Sequence, residues 1–264
     1  MEKLKGKVIW ITGASSGIGE ELAYQLSSKG AKLILSARRA NLLEKTKANC
    51  TFKNDVAILP FDLRQFDKAA ETAAKAWACF GSIDMLINNA GVSQRSLIAE
   101  TKFQVYKDIM DIDYLGTVAL SKALLPRFIA RQSGHFVVVS SLMGRFSSPY
   151  RSGYCAAKHA LHGFFDSLRM EHEKDGIAVT MVCPGFVNTN IAHNALTEDG
   201  SEQGTNDNAT KNGMSTQKFC MKMLRAIERK KFEVYIGGKE VQGIYLKRFF
   251  PKLLHRLVLR SEVR

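Results

Sequence analysis

A chain of 264 residues with 45% hydrophobic and 24% charged residues has ordinary globular composition, long enough for one α/β domain or two smaller ones, and disordered, collagen-like and low-complexity classes are excluded. Five cysteines, at 50, 79, 155, 183 and 220, form no C-x-x-C pair and have no histidine at metal-ligand spacing, which argues against a disulfide framework and against a zinc site. The formal charge of +13 gathers at the end of the chain, where residues 221 to 264 hold 12 Lys+Arg against 4 Glu.

Strand-like sequence begins at Lys7-Val8-Ile9-Trp10, leaving no room for a signal or transit segment, and no apolar run approaches the ~18 residues of a membrane span. An intracellular protein, cytoplasmic or peripheral to a membrane, is expected. The sequons Asn49-Cys50-Thr51 and Asn208-Ala209-Thr210 then read as chance matches.

Lys7 to Ile11 is an apolar run that ends in a glycine-rich turn, and Ile18 to Lys29 has helical apolar spacing before Gly30 stops it. The alternation recurs with a strand at Lys32 to Ser36 and a helix near 39 to 49, then a strand at Val56 to Leu59 and a helix near 65 to 80. Asp84 to Ile87 precedes helical stretches from 101 to 131, and Phe136 to Ser140 precedes a helix near 153 to 174. Ala178 to Val182 and Phe232 to Ile236 supply two more strands. Continuous apolar strands alternating with helices imply a parallel sheet of about seven strands buried on both faces, a doubly wound α/β fold that takes ligands at the carboxyl ends of its strands.

Residues 190 to 213 break the pattern, being polar with few apolar anchors, and a loop of this length is either a lid or a disordered connection. Ser215 or Thr216 then caps a helix running to about 229. The expected organisation is a single domain over 1 to 243 that includes this lid, with a basic extension at 244 to 264.

Thr12-Gly13-Ala14-Ser15-Ser16-Gly17-Ile18-Gly19 joins the first strand to the first helix. Gly13 permits the tight turn, while Gly17 and Gly19 let backbone N–H groups approach a pyrophosphate and let the helix pack on the sheet, with Ser15, Ser16 and Ile18 filling the loop. No lysine follows Gly19, which excludes an NTPase P-loop. At the position where an acid would hold a ribose 2′-hydroxyl stand Arg38 and Arg39, and no acid follows until Glu44. A guanidinium fork suits a 2′-phosphate, so the expected cofactor is NADP(H).

Tyr154 and Lys158 lie four apart on a predicted helix and share a face, and Ser141 follows the fifth strand. A phenol exchanges protons poorly near neutral pH unless a cation favours its anion; Lys158 can supply that cation, and the Ser141 hydroxyl can hydrogen-bond a carbonyl oxygen.

Taken together, Thr12-Gly13-x-x-x-Gly17-x-Gly19, Asn88-Asn89-Ala90-Gly91, Ser140-Ser141, Tyr154-x-x-x-Lys158 and Pro184-Gly185 closely resemble the short-chain dehydrogenase/reductase family over about residues 5 to 237. Ala123 to Pro126, Tyr150 to Tyr154 and Pro184 to Asn190 resemble more narrowly its member 7 and 7B group. The resemblance implies a Rossmann-like domain in which Tyr154 is the general acid in reduction, Lys158 holds the nicotinamide ribose and lowers the Tyr pKa, and Ser141 orients the substrate carbonyl. It implies that Asp62, with Leu63 beside it, contacts the adenine. Asn89, Ala90 and Gly91 would line the cofactor cleft, and Val187 and Thr189, following Pro184 and Gly185, would hold the carboxamide and phosphate end. It also implies a homodimer or homotetramer joined through the helices at 101 to 131 and 153 to 174.

Asp113 departs from the pattern, standing where the family's fourth catalytic residue is normally Asn. A carboxylate there should keep Lys158 charged while offsetting its field at Tyr154, raising the Tyr pKa and moving the oxidative optimum to higher pH. Leu142, Met143, Phe146, Phe186 and the lid are the expected substrate-pocket elements and suit a lipophilic carbonyl or alcohol. His135, His159, His162 and His172 have no partner at a telling spacing and read as structural or surface residues.

In the tail, Leu246, Phe249, Phe250, Leu253, Leu254 and Leu257 follow helical spacing with Lys247, Arg248, Lys252, Arg256 and Arg260 between them. Pro251 obstructs one continuous helix, so a helix starting near Phe250 is expected. Such a helix can lie on an anionic membrane surface or pack its apolar face on this subunit or a partner. No nucleic-acid motif accompanies the charge, so no specific nucleic acid is expected. The expected function is an NADP(H)-dependent oxidoreductase acting on CH–OH donors and their carbonyls. The competitors are an NADP(H)-binding scaffold or sensor of low activity, motivated by Asp113, and a membrane-docked interaction protein.

Overall fold

In the computed structural model, which describes residues 4–260, strands and helices alternate in the order the sequence predicts. The strands are β1 Val8–Thr12, β2 Lys32–Ser36, β3 Val56–Ile58, β4 Met85–Asn88, β5 Gly134–Val139, β6 Ile177–Pro184 and β7 Glu233–Ile236. All pair in parallel, in the order β3-β2-β1-β4-β5-β6-β7. The chain leaves β1 toward β2 and returns to β4 on its other side, so the order reverses at β1/β4 and opens a crevice beyond those strand ends.

Both faces of the sheet are buried because alternate residues of each strand enter different cores. Ile9 and Ile11 of β1 pack with Leu22 and Leu26 of α1 (Gly17–Ser28), Leu43 of α2 (Ala40–Ala48) and Phe219 of α8 (Thr216–Glu228). Val8 and Trp10 face the other way, among Ala73 of α3 (Ala69–Phe80), Phe128 of α5 (Gly116–Ala130) and Phe165 of α6 (Ser152–His172). The indole of Trp10, fully buried, donates from Nε1 to Ser36 Oγ at 2.9 Å, so it leaves no orphan donor.

Between α4 (Phe103–Met110) and α5 the helix widens into a π turn at Asp111–Leu115, a detail absent from the periodicity. Such a turn adds a residue and rotates its side chains off the regular helical faces, as is common near functional sites. Here it buries Asp113 completely. The 190 to 213 segment contains α7 (Asn208–Lys211), and Ser215 is the N-cap of α8, its Oγ accepting from Lys218 N at 3.3 Å.

The tail forms two helices, α9 (Gln242–Phe249) and α10 (Pro251–Arg260), broken at Phe250. Pro251 occupies the first turn of α10, where its missing N–H leaves no intrahelical bond unmade. Leu254, with Ile244, Leu246 and Val258, packs against Leu142, Phe146 and Cys183. Gly243 lies so close to Phe146 that a Cβ would come within 2.8 Å of its ring. One face of the tail therefore packs on this subunit, and position 243/244 falls inside α9. No described helix is long and apolar enough to cross a membrane.

Phe136 of β5 lies between Phe128 and Phe165, with ring centroids 5.0 and 6.3 Å away. Phe136→Ala should lower unfolding free energy by about 3–5 kcal/mol in urea, seen as a lower midpoint with an unchanged slope.

Candidate active site

At the carboxyl ends of β1, β4, β5 and β6 opens a cleft of about 850 Å³. Gly13, Ser15, Ser16, Gly17 and Ile18 form its floor at the β1–α1 turn. Gly13 has φ of 67°, and a Cβ there would lie 2.8 Å from Ala90 Cα. Gly19 does not line the cleft; it sits behind the turn, where a Cβ would collide with the carbonyl of Gly13. The turn is clamped to the β4 loop: Thr12 Oγ1 accepts from the N–H groups of Asn89 and Ala90 at 3.0 and 3.1 Å, and Asn89 Nδ2 donates to the carbonyls of Thr12 and Gly13 at 3.0 and 3.3 Å. Gly91 continues this wall, and Thr189 closes over Gly17 from the opposite side.

Arg38 and Arg39 are exposed on the rim beyond β2, with Asp62 and Leu63 beside them in the lining. Asp62 is engaged by Arg64, whose Nη2 lies 2.7 Å from Oδ2. Burial works against the Asp62 charge, but the hydrogen bonds from Arg64 and the fields of Arg64 and Arg38 hold its carboxyl below the usual range. The sequence reading assigned nothing to Arg64, although its spacing two residues on was visible.

Ser141, Tyr154 and Lys158 meet on the cleft wall. Ser141 caps the short turn Leu142–Gly144 by accepting from Met143 N at 3.1 Å, which fixes its hydroxyl at the mouth of β5. Lys158 Nζ sits 5.5 Å from the centroid of the Tyr154 ring, donates to Val139 O at 3.3 Å and lies 3.1 Å from Asp113 Oδ2. Asp113 is held in turn by Val92 N–H, which donates to Oδ1 at 2.7 Å. It does not line the cleft but stands behind Lys158.

Three ionisable groups decide the protonation of the site. Burial opposes the Lys158 charge, yet Asp113 and Tyr154 outweigh it and the ammonium holds its proton more tightly than a free lysine. Burial pushes Asp113 up, against the pull of Lys158 and of Val92 N–H. Burial likewise raises the Tyr154 phenol; Lys158 and the Ser141 hydrogen bond draw it down, Asp113 pushes it back up, and the result lies above the free phenol.

Pro184, Gly185 and Val187 line the far wall. Glu240, which sequence reasoning missed, ties this loop to the turn after β7, its Oε1 accepting from Phe186 N at 3.1 Å and Gly238 N at 3.0 Å. Leu142, Met143, Phe146 and Phe186 line the apolar end of the same cleft, joined by Leu254, Leu257 and Val258 of α10.

The polar segment 190 to 213 is tied to the body of the protein by buried ion pairs. Asp207 caps α7 by accepting from Thr210 N at 2.7 Å and receives Arg95 Nη2 at 2.8 Å and Arg151 Nη2 at 3.5 Å, all three side chains being buried. Burial and the neighbouring Arg95 lower the Arg151 pKa to about 10. Arg95 and Arg151 line the cleft, and no local pattern pointed to them, because their partner lies in a distant polar loop.

Ser140 lines the cleft beside Ser141, and its Oγ lies 3.0 Å from His162 Nε2. His162, Cys183 and Glu233 converge within 4.8 Å, a grouping invisible in the sequence because it joins α6, β6 and β7. Arg145 pairs with both oxygens of Glu233, at 2.7 and 2.5 Å. Burial, with Arg145, pulls His162 down to about 4, and burial with Glu233 pushes the Cys183 thiol up. The cluster is a neutral imidazole and thiol beside a satisfied ion pair. His135 is likewise structural, its Nε2 lying 2.8 Å from Thr180 Oγ1 in the core.

The model of the short chain dehydrogenase family matches residues 7–200. Dehydrogenase/reductase SDR family member 7B of Bos taurus is 40% identical over 263 residues, covering 97% of this chain and 81% of the relative. Dehydrogenase/reductase SDR family member 7 of Homo sapiens is 41% identical over 256 residues, covering 94% and 76%. Among solved structures, a short chain dehydrogenase/reductase from Burkholderia phymatum in complex with NAD matches with a TM-score of 0.84 at 22% identity, covering 96% of each chain.

Removing Asp113 leaves a buried ammonium with Val139 O as its one hydrogen-bond acceptor among the described residues. Asp113→Ala should therefore cost about 3–5 kcal/mol of stability, and Asp113→Asn less, measured by urea unfolding of the three proteins.

Proposed function

The chain belongs to the short-chain dehydrogenase family, and from that premise we propose that it is an NADP(H)-dependent oxidoreductase interconverting a carbonyl and an alcohol on a lipophilic small molecule. The observation that carries this reading is the placement of the Lys158 ammonium 5.5 Å from the Tyr154 ring, with Ser141 lining the same cleft beside them.

The cleft suits a dinucleotide. Its glycine floor has no room for a side chain at Gly13, and Gly19 behind it lets the turn pack close, so backbone N–H groups can come near a pyrophosphate. Arg38 and Arg39 on the rim would hold a 2′-phosphate, with Asp62 and Leu63 at the adenine, Asn89 to Gly91 along the wall, and Val187 and Thr189 at the nicotinamide end. When bound, the nicotinamide supplies or accepts the hydride.

In this reading Ser141 donates to the substrate oxygen and orients it, and Tyr154 delivers a proton to that oxygen in reduction or removes it in oxidation. Lys158 stabilises the phenolate left behind. Asp113 keeps Lys158 charged but cancels part of its field, so the phenol remains protonated at neutral pH, a state ready for reduction. Phe146, Phe186, Leu254 and Leu257 give the substrate site an apolar wall, which supports a lipophilic substrate. Exposed Phe103, Leu115 and Met170 on the α4–α5 and α6 helices support assembly of two or four copies through those faces.

The low-activity scaffold reading draws on the same Asp113–Lys158 pair, and two measurements separate them. Titration with NADPH and NADH should give tighter binding of NADPH, and replacing both Arg38 and Arg39 with Ala should weaken NADPH by about tenfold or more while leaving NADH unchanged. Tyr154→Phe should lower carbonyl reduction by about 10²–10⁴-fold with NADPH affinity retained. Tight NADPH binding with turnover no greater than in Tyr154→Phe across a carbonyl panel would favour the scaffold.

The pH profile tests the electrostatics. Alcohol oxidation needs the phenolate, so its rate should rise with pH, and Asp113→Asn, by lifting the opposing charge, should move that rise to lower pH. An unmoved profile would sink the proposed role of Asp113.

A further inference from the structure

We propose that the outer face of α9 and α10 docks this protein on an anionic lipid bilayer, turning the mouth of the cleft toward the lipid. The inner face of the pair is accounted for by Phe146 and Leu142, but the outer face has no partner within the described chain. Phe249 is 67% exposed, Phe250 62%, Leu253 46% and Leu259 62%. Singly exposed apolar residues are ordinary, whereas Phe249 and Phe250 stand together at the corner between two helices, with Leu253 one turn on.

The charge around this corner selects the occupant. Between 241 and 260 the chain holds five Lys and Arg residues and no Asp or Glu. Lys252, Arg256 and Arg260 recur along α10 beside the apolar stripe, and Lys247 and Arg248 end α9. An amphipathic helix with aromatic residues on one side and clustered cations on the other matches the interface of a bilayer containing anionic lipids. A second copy docking by the same face would set five cations against five, which like-charge repulsion disfavours. A membrane span is not the mode of attachment of this face, since neither helix is long enough.

The fold connects this surface to the cleft. Leu254, Leu257 and Val258 line the cleft, and Leu257 is also 46% exposed, so α10 is at once a wall of the cleft and part of the docking face. Bilayer docking therefore brings the apolar end of the cleft to the depth at which lipophilic molecules dissolve. That consequence rests on the oxidoreductase reading; the docking itself does not.

The test is co-sedimentation of the full chain with vesicles of phosphatidylcholine alone or with about 30% phosphatidylserine, at about 0.1 M and 0.5 M salt. Two variants carry it: Phe249→Ser with Phe250→Ser and Leu253→Ser, and Lys247→Gln with Arg248→Gln and Lys252→Gln. None of these side chains lines the cleft, and thermal unfolding checks that each variant folds as the parent does. The parent should bind the phosphatidylserine vesicles at least tenfold more tightly than phosphatidylcholine and lose that preference at high salt. The Gln variant should bind about a hundredfold more weakly, at roughly fivefold per charge, and the Ser variant should lose binding with its charge intact. Binding by the Ser variant equal to the parent, or no binding of the parent to either vesicle, overturns the proposal. So does a parent that self-associates on size exclusion, dissociates with the Ser substitutions and ignores vesicles. If vesicle binding holds while NADPH does not bind, docking stands and the oxidoreductase reading fails.

Discussion

A parallel sheet buried on both faces has no lateral surface on which to carry chemistry, and this constraint governs the rest of the molecule. Every strand from β1 to β7 runs the same way, so seven carboxyl ends emerge at one edge, and the loops that leave them have nowhere to satisfy their polar groups except on one another and at the cleft. The clamp between Thr12 and Asn89 is the local form of that requirement. Two adjacent strand-end loops exchange four hydrogen bonds across the point where the strand order reverses, and the backbone of the glycine turn is held in shape by its neighbour rather than by its own side chains.

Within this edge the reactive centre depends on a charge that the cleft does not display. Lys158 is buried, and a buried ammonium survives only with a partner; Asp113, itself buried within the π turn, provides one at 3.1 Å. The consequence for Tyr154 follows from distance and sign: the cation favours the phenolate, the anion behind it opposes, and burial opposes further, so the phenol keeps its proton. A neutral amide at position 113 could hold Lys158 by hydrogen bonding without opposing its field. The ionic arrangement therefore favours the protonated form of the Tyr154 phenol.

The parts of this architecture legible in the sequence were those set by local rules. Strand and helix order followed from apolar periodicity, the turn from its glycines, and the shared face of Tyr154 and Lys158 from a spacing of four. Asp113 was identifiable by its position, but its pairing with Lys158 joins two elements far apart along the chain, and the π turn that holds it leaves no trace in periodicity. Arg95, Arg151 and Asp207 remained hidden for a different reason. Their pairing joins the end of β4 and the start of α6 to a polar loop, and a loop held by buried ion pairs and backbone hydrogen bonds lacks the apolar anchors by which order is read from sequence. His162, Cys183 and Glu233 illustrate the same limit, since three elements brought together by the sheet cannot be paired by counting along the chain.

The two halves of the cleft are built on opposite principles. The half beneath β1 and β4 is formed by backbone and small residues held by hydrogen bonds, so its shape tolerates little change; the half beyond β5 and β6 is formed by side chains of Phe146, Phe186 and the tail helix. Leu254 and Val258 reach that wall only because α10 folds back over Phe146, where Gly243 allows a close approach. Substitution along α10 can therefore reshape the apolar half while the glycine turn and the Lys158 pair stay as they are. The same helix carries the basic outer face, so the residues that shape the apolar wall and those that set the surface charge lie within one turn of each other, and a change in either is constrained by the other.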